Sequence, residues 1–167
     1  MKATDLLEQQ HREVEKIFDR LENDEGDRIE NLRELASKLA AHMRIEEEIF
    51  YPKAREVMED MVFESLEEHT LAAFALKRLA EIDPGHPSFE AKCKALKELV
   101  KHHVEEEESE MFPKIDGEIE PEELETIGEE LEARFMEIVE SGYGAELVKG
   151  QPSKKNGIGR MPHHATR

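Results

Sequence analysis

Four stretches of this chain put a core-facing residue at every third or fourth position, and each stripe is broken by a histidine. The stripes read Leu7, His11, Val14, Phe18, Leu21; then Leu32, Leu35, Leu39, His42, Glu46, Ile49; then Val62, Leu66, His69, Ala73, Leu76; then Phe89, Cys93, Leu96, Val100, His103, Glu107. Steps of three and four mark helices that bury one face in a bundle. Two stripes lose a second apolar position, to Glu46 and to Glu107. Such breaks in the binary pattern concentrate at functional sites.

The punctuation between the stripes sets the element order. A first helix is expected from about Thr4 to Asn23, with Asp5 and Glu8 in capping-box register. A second starts near Asp27 and meets a kink or stop at Pro52; a third covers about Asp60 to Ile82. The fourth opens with Ser88 as N-cap and reaches Phe112-Pro113, and a shorter fifth runs from Pro121 to before Ser141-Gly142. The fold class is therefore all-α, an up-down-up-down four-helix bundle with a short fifth helix. The expected division is 1–115 for the bundle, 116–141 for an accessory helix and 142–167 for a flexible basic tail.

Heights along the bundle decide whether the polar breaks can meet. At about 1.5 Å per residue, His11 and His42 lie roughly fourteen and sixteen residues from the first turn. Glu46 and His69 lie about eleven and twelve from the second, and His69 and His103 about sixteen and eighteen from the third. All six side chains thus fall in one layer. Burying an ionised carboxylate without a partner costs several kcal/mol, against about 5–15 kcal/mol for a whole domain. Two carboxylates and four imidazoles in one layer call for cations, and the ligand set, with no thiolate, is that of a non-haem iron pair.

The pattern is also a repeat. His42-Met43-Arg44-Ile45-Glu46 and His103-Val104-Glu105-Glu106-Glu107 are two copies of His-x-x-x-Glu, followed by Tyr51-Pro52 and Phe112-Pro113. Each copy follows a lone histidine, His11 or His69. Glu47 or Glu106 is expected to accept hydrogen bonds from ligand N–H groups. His102 points about 100° away from His103 and is read as a boundary residue, or one placed behind the ligands. Tyr51 is read as an aromatic packed on the Pro52 kink, with a redox or proton-donor role second. Cys93, the one thiol, is core filler, His86 sits in a turn, and His163 and His164 lie in the tail.

The net charge of −18 argues against nucleic acid or an anionic membrane as partner of the main body. No apolar run is long enough to span a membrane and the N-terminus has no signal-like apolar stretch, so a cytoplasmic location is expected. The basic residues Lys149, Lys154, Lys155, Arg160 and Arg167 leave a protein partner open for the tail.

Taken together, Glu8-Gln9-Gln10-His11, the His42–Glu46 run on to Tyr51-Pro52, Glu67-Glu68-His69 and the His103–Glu107 run on to Phe112-Pro113 resemble the hemerythrin-like (HHE cation-binding) family over about residues 1–115. The resemblance implies two non-haem irons, bridged by Glu46 and Glu107 and by an oxo or hydroxo group. It also implies that His11 and His103 serve one iron and His42 and His69 the other. Oxygen carriers of the family have a further histidine where this chain has Ala73, and an aspartate five residues after the fourth-helix histidine, where this chain has Glu107 at four. Simple oxygen storage is thereby disfavoured. The expected function is binding or sensing of a small molecule (oxygen, nitric oxide or peroxide) or of iron itself. A catalase-like, peroxide-consuming enzyme is the alternative, and a structural zinc bundle the second.

Overall fold

The computed structural model describes residues 1–150, and these form helices and turns with no β-strand among them. Helix α1 spans Ala3–Glu22 and α2 spans Arg28–Ile45; α2 runs on through a π-helical turn, Glu46–Phe50, into the short α3, Tyr51–Ala54. Helix α4 is Glu59–Glu81 and α5 is Phe89–Glu106, which continues through a second π-helical turn, Glu107–Met111, into α6, Phe112–Glu118. Helix α7, Pro121–Glu140, and a 3-10 turn at Ala145–Leu147 complete the order. Helix α1 packs on α2 and α5, and α4 on α5 and α2, giving the four-helix bundle.

Local signals explain the boundaries. The Asp27 carboxylate accepts from the Ile29 and Glu30 N–H groups and starts α2. The α1 start departs from expectation: it begins at Ala3 behind Lys2, with no side-chain cap. Asp5 therefore lies inside the first turn, where its charge suits the helix dipole, and Thr4 is turned inward to donate to Asp116 Oδ1 at 2.9 Å. Ser88 is the residue before α5, but its hydroxyl pairs with His86 Nδ1 at 2.9 Å rather than with the helix.

Pro52 and Pro113 do not stop their helices. Both follow directly on the π-helical turns, where Tyr51 N–H bonds Glu46 O and Phe112 N–H bonds Glu107 O, five residues back. A proline must leave one carbonyl of the preceding turn without its usual donor. A turn whose bonds already reach one residue further absorbs that gap within the helix.

The apolar interior is two clusters. One gathers Phe18, Leu32, Leu35, Leu76, Leu79, Phe89 and Leu96 toward the inter-helix turns. The other gathers Leu7, Ile45, Phe50, Tyr51, Phe112, Ile115, Leu124 and Leu131. The second cluster includes α7 residues, and α6 runs past residue 115, so the boundary expected there does not divide the core. Nearly every position of the four stripes is buried, with Leu66 and Ile49 half-buried. Ala73 is the exception: it is exposed and Ala72 takes the inward place. A three- or four-residue step fits the sequence equally, and α4 chooses Ser65, His69, Ala72, Leu76.

The flexible segment expected from Gly142 is also corrected over 142–150. Val148 is buried, and Lys149 N–H bonds Ala80 O at 3.2 Å, tying this strap to the end of α4. Gly144, at φ 83°, lies so close to α2 that a Cβ would meet Ala36 O at 2.3 Å. The rest of the expected tail, with His163 and His164, lies outside the described residues. Among the described residues no helix is long and apolar enough to cross a membrane.

Gly144→Ala should therefore lift the strap. Both the positive φ and the approach to backbone oppose it, at about 1–3 kcal/mol each. The expected outcome is faster hydrogen exchange at the Val148 and Lys149 amides with the bundle still folded, read by exchange mass spectrometry.

Candidate metal centre

Between the two apolar clusters lies the polar layer. His11 comes from α1, His42 from α2, His69 from α4 and His103 from α5, while Glu46 and Glu107 open the two π-helical turns. All six are buried, and both glutamates are 0 % exposed.

The imidazoles converge through Nε2. His11 and His42 Nε2 are 3.1 Å apart, and His69 and His103 Nε2 are 3.2 Å apart. Glu46 spans both pairs, with Oε1 3.2 Å from His42 Nε2 and Oε2 3.1 Å from His69 Nε2. Glu107 Oε2 lies 3.3 Å from His11 Nε2 and 3.5 Å from His103 Nε2. Two ligand atoms each about 2.1 Å from one ion are roughly 3.0–3.4 Å apart, so these spacings suit ligands sharing a cation. The pairing differs from that implied by resemblance: His11 goes with His42 and His69 with His103. Helices joined by a turn pack side by side here and bring their own histidines together.

Each imidazole is aimed from behind. Nδ1 of His11 donates to Glu108 Oε1 at 2.8 Å, and that of His69 to Glu47 Oε1 at 2.9 Å. Nδ1 of His42 donates to Gln10 Oε1 at 2.7 Å, and that of His103 to Glu68 Oε2 at 2.6 Å. An N–H held at Nδ1 leaves the Nε2 lone pair facing the centre, the arrangement a metal ligand needs. Glu47 was expected in this role. Glu106 is not: it pairs with His102 at 3.3 Å. Gln10, Glu68 and Glu108 were missed, although the repeat contains them, one residue before each lone histidine or one after the seam glutamate.

The duplicated frame carries an asymmetry. Tyr51, buried, donates its hydroxyl to Glu107 Oε1 at 2.8 Å and lies 3.0 Å from His69 Nε2 and 3.4 Å from His103 Nε2. It faces the centre rather than merely packing on Pro52. Its counterpart Phe112 stacks on His11, ring centroids 5.8 Å apart. One half thus offers His11, His42, Glu46 and Glu107, and the other Glu46, His69 and His103 beside a phenol. A cavity of about 20 Å³ adjoins the imidazoles, walled by Val14, Leu39, Met43, Ala72, Val100 and Val104.

Electrostatics points to a missing positive charge. Glu46 Oε1 and Oε2 and Glu107 Oε2 are buried without a hydrogen-bond partner, which is rare in native interiors. Burial favours the neutral acid at Glu46, yet His42 and His69 hold its carboxyl well below the usual range. Burial likewise opposes charge on the imidazoles, but Glu107 and Glu108 raise His11 to about 9 and Glu46 and Glu47 raise His69 to about 10. His103 is raised by Glu107 and Glu68 against the same burial. At His42, backed by a neutral amide, burial prevails and its pKa falls. Burial and the two glutamates push the Tyr51 phenol well above its ordinary value, so it keeps its proton.

The hemerythrin HHE cation binding domain signature matches residues 2–115. The chain belongs to the hemerythrin HHE cation-binding family. The family binds metal cations, and the His/Glu layer holds clusters of side chains that could take them. A protein named DNA nickase from Nostoc sp. is 29% identical over 141 residues, which are 83% of this chain but 40% of that relative. The crystal structure of a hemerythrin HHE cation binding domain-containing protein from Mycobacterium kansasii superposes with a TM-score of 0.76 at 24% identity, covering 88% of this chain and 98% of that one. That likeness is one of fold.

Without metal, protons must balance the carboxylates, and this gives a pH signature. His11 and His69 are raised above 6.5, so their contribution to metal-free stability is complete below that pH and lost as pH rises through about 9 to 10. Glu46 is lowered, so its contribution is present above about 4.5 and lost in acid. Metal-free protein should melt at a lower temperature at pH 10 than at pH 6. The loaded protein should show less of this fall, because coordinated imidazoles carry no such proton. Thermal denaturation at both pH values, with and without prior chelation, is the check.

Proposed function

We propose that the centre holds two non-haem irons and consumes peroxide. The observation that carries this reading is the Tyr51 hydroxyl, a buried proton donor beside His69 and His103. Six nitrogen and oxygen donors without thiolate suit a carboxylate-bridged iron pair. They suit less well the closed tetrahedral sphere of structural zinc.

Iron, when bound, would relay two electrons between two peroxide molecules: one gives up its electrons and protons and leaves as oxygen, and the other takes them up as its O–O bond breaks to two waters. The residues handle access and protons. The cavity of about 20 Å³ admits a molecule of roughly water or peroxide size and turns away larger organic substrates. Tyr51 can give a proton to a molecule at the His69 and His103 side while Glu107 Oε1 orients its hydroxyl. The small inward side chain of Ala72 lines this cavity. The activity in the name of the Nostoc relative does not fit this site, since a net charge of −18 repels a phosphate backbone.

Purified protein loaded with ferrous iron in air should absorb in the near ultraviolet and contain two irons per chain. Glu46→Ala or Glu107→Ala should lower that content, by elemental analysis; two irons in both variants would refute the bridging roles. Tyr51→Phe should keep its iron but lose about 100-fold or more in peroxide turnover, the usual scale of a positioned acid. Turnover equal to that of the unaltered protein, measured as oxygen release, would remove the phenol from the chemistry.

A further inference from the structure

A third His-x-x-x-Glu stands one residue out of step with the second: His102 and Glu106 beside His103 and Glu107. The one-residue offset turns it about 100° around α5, from the core toward solvent. There it meets Glu68 of α4. His102 Nε2 lies 3.3 Å from Glu106 Oε1 and 3.6 Å from Glu68 Oε1, and donor atoms of all three residues converge within 4.8 Å. An ion at about 2.0–2.1 Å from tetrahedral ligands holds them roughly 3.3–3.4 Å apart. The His102–Glu106 separation matches, and the 3.6 Å to Glu68 is slightly longer.

The neighbourhood also lacks the compensation found elsewhere on the surface. Glu48 sits between Arg44 and Arg134, and Glu13 and Glu34 share Lys38. Among the described residues, Glu68 and Glu106 have only imidazoles as ion-pair partners, yet a carboxylate oxygen of each lies within 4.8 Å of the other. Glu68 is the connecting piece. One oxygen faces this outer group, the other accepts from His103 Nδ1 at 2.6 Å, and the side chain lines the inner cavity.

We propose that Glu68, His102 and Glu106 form a peripheral site for a divalent transition-metal ion, from which the buried centre is loaded past Glu68. Imidazole with two carboxylates selects borderline ions such as ferrous iron or zinc over calcium or magnesium. Three protein ligands and an exposed histidine leave a coordination position to water, so the ion is held loosely enough to move on. Glu68 can turn from the outer ion to His103 without leaving hydrogen-bonding range of either. The peripheral site stands on its own geometry; the loading step rests on the iron centre proposed above.

Zinc is the probe for the site. Iron-loaded protein, dialysed against graded zinc chloride, should take up one zinc per chain with its iron content unchanged, by elemental mass spectrometry. His102→Ala and Glu106→Gln should each weaken that uptake at least tenfold. No zinc uptake up to millimolar concentration, or equal uptake by the variants, would overturn the site. Iron content measured in the same samples tells separately whether the buried centre is as proposed. For the loading step, metal-free protein mixed with ferrous iron in air is followed by near-ultraviolet absorption. His102→Ala should fill several-fold more slowly to the same end point, and equal rates would overturn the relay.

Discussion

Two carboxylates with no exposure, Glu46 and Glu107, sit at the middle of a bundle whose interior is otherwise aliphatic and aromatic. An uncompensated buried charge costs several kcal/mol, and a domain has about 5–15 kcal/mol in all. Everything around the pair answers that cost. Four imidazoles turn Nε2 toward the carboxylates, four acceptors hold the imidazoles by Nδ1, and the two apolar clusters close above and below. The layer carries the buried carboxylate oxygens that lack a hydrogen-bond partner, and it sets the geometry around them.

The acceptors follow the duplication. Gln10 and Glu68, each preceding its lone histidine, serve His42 and His103; Glu47 and Glu108, each following its seam glutamate, serve His69 and His11. Within that near-twofold frame, chemistry is set by the exceptions. Gln10 is neutral where Glu68 is charged, and Phe112 stands where Tyr51 brings a hydroxyl. The two halves of the layer are thereby unlike in charge behind the imidazoles and in proton supply before them.

Much of this was legible in the sequence, because bundle periodicity is a strong signal and a histidine or glutamate on an apolar stripe is a conspicuous exception. The six residues of the layer, the helix order and Asp27 as the start of α2 follow from spacing and capping alone. The misses share a cause. Ala73 against Ala72 is a choice between steps of three and four that only packing settles. Tyr51 was misplaced because the reading assumed regular α-helix up to Pro52, whereas the π-helical turn re-aims its ring. The strap at 142–150 escaped notice because Gly142 and Gly144 read as flexibility when they serve as positive-φ corners. The histidine pairing came from resemblance, and the packing of helices joined by a turn gives the other one.

The π-helical turns have a consequence for how this chain can vary. In regular α-helix five steps would carry Tyr51 about 140° around the axis from Glu46, whereas bonds reaching five residues back keep the two nearly in line. Each turn is equivalent to a single inserted residue. Loss of one residue between positions 46 and 51 would restore regular α-helix, in which four steps leave the phenol about 40° round from Glu46 and still on the face of the centre. What the extra residue provides is the slack that lets Pro52 follow without ending the helix. A chain that keeps the His-x-x-x-Glu but is one residue shorter to the aromatic-Pro pair would present its aromatic on the same face and meet the proline as a kink instead.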